Sequence, residues 1–76
     1  MYAGQYKNGV KDGYGTYYYL NGETYTGEWK NGEYNGKGKY IWKNGDVYKG
    51  CWKNGKKHGW GKMTYLSGNV HEGKWK

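Results

Sequence analysis

The sequence has no phenylalanine and no arginine, and its isoleucine and leucine amount to Leu20, Ile41 and Leu66. The side chains that usually build an aliphatic core are therefore missing. At 76 residues a conventional core would be marginal even with them. No stretch approaches the ~20 consecutive apolar residues of a membrane span. Cysteine occurs once, as Cys51, so no internal disulfide forms and a reducing compartment fits best. Acidic residues are scarce: six stand against 13 basic ones, all lysine, for a net charge of +7. A mean hydropathy of −1.34 alone would point to disorder. The five Trp and eleven Tyr argue against it, because they recur in fixed slots.

Those slots follow the glycines. All 16 glycines fall on one 23-residue period. Gly4, Gly27, Gly50 and Gly73 form one column, and Gly15, Gly38 and Gly61 form another. Tyr2, Tyr25 and Tyr48 share a slot with His71, and Tyr6 shares one with Trp29, Trp52 and Trp75. Lys7, Lys30, Lys53 and Lys76 follow that aromatic. Self-similarity at a fixed period decides the architecture before any single residue does. It divides the chain into repeats 2–24, 25–47 and 48–70 with a fragment at 71–76, read together as one module over 1–76. A repeated unit makes a surface rather than one special site, which lowers the expectation of an enzyme. Because the repeat starts at Tyr2, no signal peptide is expected.

The glycine density forbids long helices, since each interior glycine costs about 1 kcal/mol relative to alanine. The segments between glycine clusters are short and rich in Tyr, Trp, Thr and Val, which suit strands. Seven strands are expected, near 2–7, 14–20, 24–30, 37–43, 47–53, 60–66 and 70–75. Sequence neighbours pair, so the fold class is all-β: an elongated single-layer antiparallel meander of about three 23-residue hairpin repeats. The Asn21-Gly22 turn sets the register. A two-residue turn would pair Tyr18 with Tyr25 and split the aromatics between faces. A three-residue loop Leu20-Asn21-Gly22, with Gly22 left-handed in a bulge, pairs Tyr17 with Tyr25 and Gly15 with Gly27. The second arrangement gathers Tyr2, Tyr6, Tyr17, Tyr19, Tyr25, Trp29, Tyr40, Trp42, Tyr48, Trp52, Met63, Tyr65, His71 and Trp75 on one face. Lysines populate the other. Glycines at 4, 15, 27, 38, 50, 61 and 73 lie among the rings as structural positions, leaving room for a ring to lie flat across the backbone.

Tyr25-Thr-Gly-Glu-Trp-Lys-Asn-Gly32, Gly36-Lys-Gly-Lys-Tyr40 and Asn44-Gly-Asp-Val-Tyr48 resemble the MORN (membrane occupation and recognition nexus) repeat. The resemblance covers essentially the whole chain. Departures are minor: Tyr6 stands where Trp is usual, Met63 replaces an aromatic, and His71 replaces the leading Tyr. The resemblance implies an extended sheet of hairpins that tethers acidic phospholipid membranes or scaffolds other proteins. It also implies a cytoplasmic setting, cytoskeletal, ciliary or peripheral to a membrane.

Catalytic chemistry is poorly supplied. His58 is expected in a glycine-rich loop, His71 occupies a tyrosine slot, and Ser67 occupies an asparagine turn slot. Cys51, His58 and His71 match no metal-ligand spacing, and the Gly-x-Gly elements lead into strands rather than helix N-termini. The expectation is a non-catalytic chain with no cofactor and no metal. Its partner-binding face is read as Tyr25, Trp29, Tyr40, Trp42, Tyr48, Trp52, Tyr65 and Trp75, with Trp29, Trp42 and Trp52 central. The ligand expected there is a helix or an extended peptide. The alternative reading gives the row Lys7, Lys30, Lys53 and Lys76, joined by Lys11, Lys56 and Lys57 from the loops, to anionic headgroups. The same lysines also serve solubility and edge protection. Nucleic acid ranks lower, because the lysines and aromatics are expected on opposite faces and stacking platforms need them together. Open edges at 2–7 and 70–75 point to self-association or a stabilising partner.

Overall fold

The computed structural model describes residues 1–75. Its seven strands are β1 (Tyr2–Lys7), β2 (Val10–Tyr18), β3 (Thr24–Lys30), β4 (Glu33–Ile41), β5 (Val47–Lys53), β6 (Lys56–Thr64) and β7 (Val70–Trp75). They form one antiparallel sheet in sequence order. The sheet measures 40 × 26 × 13 Å, the thickness of a single layer with its side chains.

The register joining β2 to β3 is the one that keeps the aromatics together. Tyr17 pairs with Tyr25, and Gly15 with Gly27. The loop closes with Tyr19 N–H donating to the Glu23 carbonyl at 2.9 Å and Gly22 N–H to the Tyr19 carbonyl at 3.1 Å. Gly22 is left-handed at φ 94°, and the Asn21 side chain accepts from Glu23 N–H at 3.0 Å. The same closure recurs at Trp42–Asp46 and Tyr65–Asn69.

The even-numbered strands differ from expectation. Each begins four residues earlier and ends two residues earlier than the sequence reading placed it. The reason is that Asn8-Gly9, Asn31-Gly32 and Asn54-Gly55 are complete two-residue turns. In Asn31-Gly32 both residues have positive φ, 53° and 80°, the backbone signature of a type I′ turn, whose twist matches the flanking strands. The strand resumes at once, and residues 10–13 are sheet rather than loop. The register then jumps between Gly4 and Tyr6, Gly27 and Trp29, and Gly50 and Trp52. Opposite each jump, three residues of the even strand face one of the odd strand, which is an enlarged bulge. His58 consequently lies in β6, not in a loop.

One glycine from every strand meets the next across the whole sheet: Gly4, Gly15, Gly27, Gly38, Gly50, Gly61 and Gly73. This ladder is the seat of the core. The Tyr25 ring lies where a Cβ on Gly38 would be, and Tyr2 and Tyr48 lie over Gly15 and Gly61 in the same way. Each hydroxyl then donates to the carbonyl at its bulge: Tyr2 to Gln5 at 2.9 Å, Tyr25 to Glu28 at 2.9 Å and Tyr48 to Cys51 at 3.1 Å. Trp29 Nε1 donates to the Gly15 carbonyl at 3.0 Å, and Trp52 Nε1 to Gly38 at 3.2 Å. The core is Tyr25, Trp29, Tyr48, Trp52 and Met63. A sheet with almost no aliphatic side chains is thus held by rings packed on bare backbone.

Candidate functional site

The aromatic face is built from contacts between rings. Tyr25 meets Trp29 and Trp52 edge-on at 5.1 and 5.5 Å. Such pairs contribute about 0.5–1.5 kcal/mol each beyond burial. The bulges bring a further column onto this face. Because Tyr6 pairs with Lys11, Trp29 with Tyr34 and Trp52 with Lys57, residues 11, 34 and 57 stand among the rings. Tyr34 stacks on Tyr25 at 3.9 Å with an 11° interplanar angle. Lys11 Nζ sits 5.4–5.8 Å from the Tyr2, Tyr17 and Trp29 rings. Lys57 Nζ sits 5.2–5.8 Å from those of Trp42, Tyr48 and Trp75. These are cation–π distances.

Two placements therefore need correcting. Lys57, read with the lysine surface, belongs to the aromatic face, and so does Lys11. Both lie in strands, as does Lys56. Tyr34 was not assigned to any face, although it is the ring that joins the two central repeats. The signal that could have found it was the Lys-Asn-Gly turn: with a two-residue turn, Trp29 and Tyr34 must face each other.

The aromatic residues named from sequence divide by burial. Tyr25 and Tyr48 are fully buried, and Trp29 and Trp52 are 5% and 6% exposed. Tyr40, Trp42 and Trp75 are half-buried, and Tyr65 is exposed. Two shallow grooves lie on either side of Tyr34; Tyr40, Trp42 and Trp75 line one of them, and Tyr65 lines neither. One, about 520 Å³, is lined by Tyr34, Tyr40, Trp42, Trp52, Lys56, Lys57 and Trp75. The other, about 310 Å³, is lined by Lys11, Tyr17, Tyr19, Trp29, Glu33 and Tyr34, with Gly32 and Gly55. At the rim, Tyr40 donates its hydroxyl to Glu23 Oε1 at 2.6 Å, and Glu23 Oε2 accepts from Lys43 N–H at 3.2 Å. Burial, and then this carboxylate, push the Tyr40 phenol well above its ordinary range. The Tyr40 hydroxyl, and then Lys43 N–H, hold Glu23 below its own. Burial likewise raises Tyr25, with the Glu28 charge second.

On the opposite face, Lys7, Lys30, Lys53 and Lys56 are exposed. Lys53 pairs with Lys56 across the Asn54-Gly55 turn, and Lys30 pairs with Glu33 at the equivalent corner. Lys76, read as the fourth member of this row, lies outside the described residues. Three large aromatics also stand on this face, Tyr14, Tyr18 and Trp60, at 59%, 46% and 61% exposure.

No relative among characterised proteins was similar enough to transfer a specific activity or partner. The family model for the MORN repeat matches residues 2–24, 25–47 and 48–70. Three consecutive matches, each taking in one two-stranded hairpin of the glycine ladder, place the chain in the MORN repeat family.

Proposed function

We propose that the chain is a non-catalytic scaffold that holds a protein partner, a helix or an extended peptide, in the grooves of its aromatic face. MORN repeats are known as interaction and membrane-binding modules, which supports a binding role over a reaction. The observation that carries the choice of face is the groove around Trp42. Half-buried Tyr40, Trp42 and Trp75 line it on a floor formed by Trp52, with Lys57 held over the rings. Half-exposed Trp and Tyr with fixed orientation are the residues that dominate protein interfaces. In this reading Trp29, Trp52, Tyr25 and Tyr48 shape the groove, Tyr40, Trp42 and Trp75 touch the partner, and Tyr65, outside the groove, extends the same face. Lys57 selects for an acidic or carbonyl-rich rim. The unpaired outer edges of β1 and β7 offer a second way to add a strand.

The test is a peptide-display selection against the folded chain in 0.5 M salt. Selected peptides are expected to bind wild type and to lose most of their affinity on Trp42→Ala. Peptides that bind Trp42→Ala as well as wild type would overturn the assignment of the face.

Peripheral attachment to acidic phospholipid is the second reading, supported by the exposed corner lysines Lys7, Lys30, Lys53 and Lys56 on one face. Each would contribute roughly 1 kcal/mol near a charged surface. Attachment of this kind weakens steeply above ~0.15 M salt, where the Debye length is about 8 Å. Vesicle binding that survives 0.5 M salt, or that Lys30→Glu with Lys53→Glu leaves intact, would rule it out. Either reading places the chain beside the membrane or cytoskeletal assemblies with which the family is associated.

A further inference from the structure

The lysine face is not only a solvated surface. Tyr14 projects from β2 and Trp60 from β6, on the same side as Thr26, Lys39 and Lys49. Between them lies a cleft of about 570 Å³ that also takes in Lys37 and Cys51. Its floor is the backbone of Gly27, Gly38 and Gly50, flanked by the side chains of Thr26, Lys37, Lys39, Lys49 and Cys51. None of the residues lining it is acidic. Glu28 stands nearby, but its Oε2 accepts the Lys37 N–H at 2.8 Å and is turned onto the backbone. Four inter-strand spacings separate β2 from β6, so the two rings stand roughly 19 Å apart.

We propose that this cleft binds single-stranded nucleic acid, with bases stacked on Tyr14 and Trp60 and phosphates paired with Lys37, Lys39 and Lys49. The combination of a positive track with exposed rings on one surface is what sequence-tolerant single-strand binding requires. Alternation from the ladder glycines Gly15 and Gly61 puts Tyr14 and Trp60 on the lysine face, opposite Glu28 and Lys74. An acidic peptide would use the lysines and leave both rings without a stacking partner. A membrane surface is flat, whereas these lysines lie between two aromatic walls. A duplex has its base faces already stacked. A single strand of about four nucleotides, the lower end of known site sizes, matches both features.

The site is independent of the aromatic grooves, which lie on the other side of the sheet. The test is fluorescence anisotropy with a labelled oligothymidylate and an abasic strand of equal length. Thymidylate binding is expected to exceed abasic binding by at least about fivefold, the lower bound for one base–aromatic stack. It is expected to fall by a similar factor on Trp60→Ala and to be largely restored in Trp60→Phe. The logarithm of affinity should fall against log salt with a slope of about −2, for three phosphates on a single strand. Because Tyr14 and Trp60 are exposed, their replacement should leave the melting temperature unchanged. Cys51, the only cysteine, supplies the position: bound oligonucleotide should slow its reaction with a bulky maleimide. Equal affinity for the abasic strand would overturn the proposal. So would indifference to Trp60→Ala, unprotected Cys51 in the presence of bound strand, or no binding at low salt.

Discussion

Gly38→Ala isolates the feature on which the sheet depends. Gly38 is in ordinary strand conformation, so an alanine there introduces no backbone strain, only volume. That volume is already filled. A Cβ at Gly38 would lie 2.5 Å from Tyr25 Cε1 and closer still to the ring carbon Cζ and the hydroxyl. Tyr25 is fully buried and cannot lift without leaving Tyr34 and withdrawing its hydrogen bond from Glu28. Overpacking costs about 1–3 kcal/mol. The lost stack costs about 0.5–1.5 kcal/mol, and the lost hydrogen bond about 1 kcal/mol. The total is about 2.5–5.5 kcal/mol. A chain of this size has about 4–11 kcal/mol to lose, and each kcal/mol moves Tm by about 4–8 °C. Thermal unfolding followed by tryptophan fluorescence should therefore show a fall of at least about 10 °C, or no folded state. Gly68→Ala is the contrasting case: a Cβ there meets nothing within 4 Å, and only its φ of 99° is unfavourable. It should cost about 1–2 kcal/mol. A double-mutant cycle adds a second check, since Tyr25→Leu should cost less in the Gly38→Ala background than in wild type. A Gly38→Ala chain as stable as wild type, or additive behaviour in the cycle, would refute the packing of Tyr25 across the ladder.

The remaining predictions are more local. Tyr2, Tyr19, Tyr25, Tyr40 and Tyr48 all have raised phenol pKa values, with burial the leading cause. A raised folded value stabilises the fold fully below the unfolded value of about 10 and loses that contribution as pH climbs beyond it. Absorbance titration at 295 nm should thus show these phenols ionising late, together with alkaline unfolding. Glu23 has the opposite sign: its contribution is present above the ordinary carboxylate range and is lost as pH falls through its lowered value. Glu23→Gln should accordingly flatten the acid limb of the stability curve. Asn31→Ala places a Cβ-bearing residue with no local hydrogen-bonding side chain at φ 53°. It should cost about 1 kcal/mol in urea unfolding, whereas Asn31→Gly should cost little. Tyr34→Lys converts the central repeat to the pattern of its neighbours. It trades a stack for a cation–π contact, and should cost about 1 kcal/mol or less in the same assay.

Much of the fold is legible in the residues. The requirement that Tyr17, Tyr19, Tyr25 and Trp29 share a face was enough to select the three-residue Leu20-Asn21-Gly22 loop over a two-residue turn. The glycine columns gave the ladder. What was not legible traces to one dipeptide used in two ways. Asn21-Gly22 closes a three-residue loop, while Asn31-Gly32 is itself a complete turn. The residues that follow the second kind, such as Val10-Lys11-Asp12, show no alternation that would mark a strand. The bulge then hides their facing. Lys57 and Tyr34 were misplaced or passed over for that reason, and Tyr14 and Trp60 went unrecognised as exposed rings among lysines. Burial is the other feature that a column of aromatics does not reveal. Trp29 and Trp42 look alike as letters, yet one donates its indole to the Gly15 carbonyl inside the sheet and the other lines an open groove.

The five indole N–H signals offer the most direct test of which face receives the partner. Trp29, Trp42, Trp52 and Trp75 lie on the aromatic face and Trp60 on the other, so a nitrogen–proton correlation spectrum reports both faces at once. A peptide selected in 0.5 M salt is expected to shift the Trp42 and Trp75 signals, to move Trp29 and Trp52 little, and to leave Trp60 in place. A spectrum in which Trp60 moves while Trp42 and Trp75 stay fixed would contradict the aromatic-groove assignment.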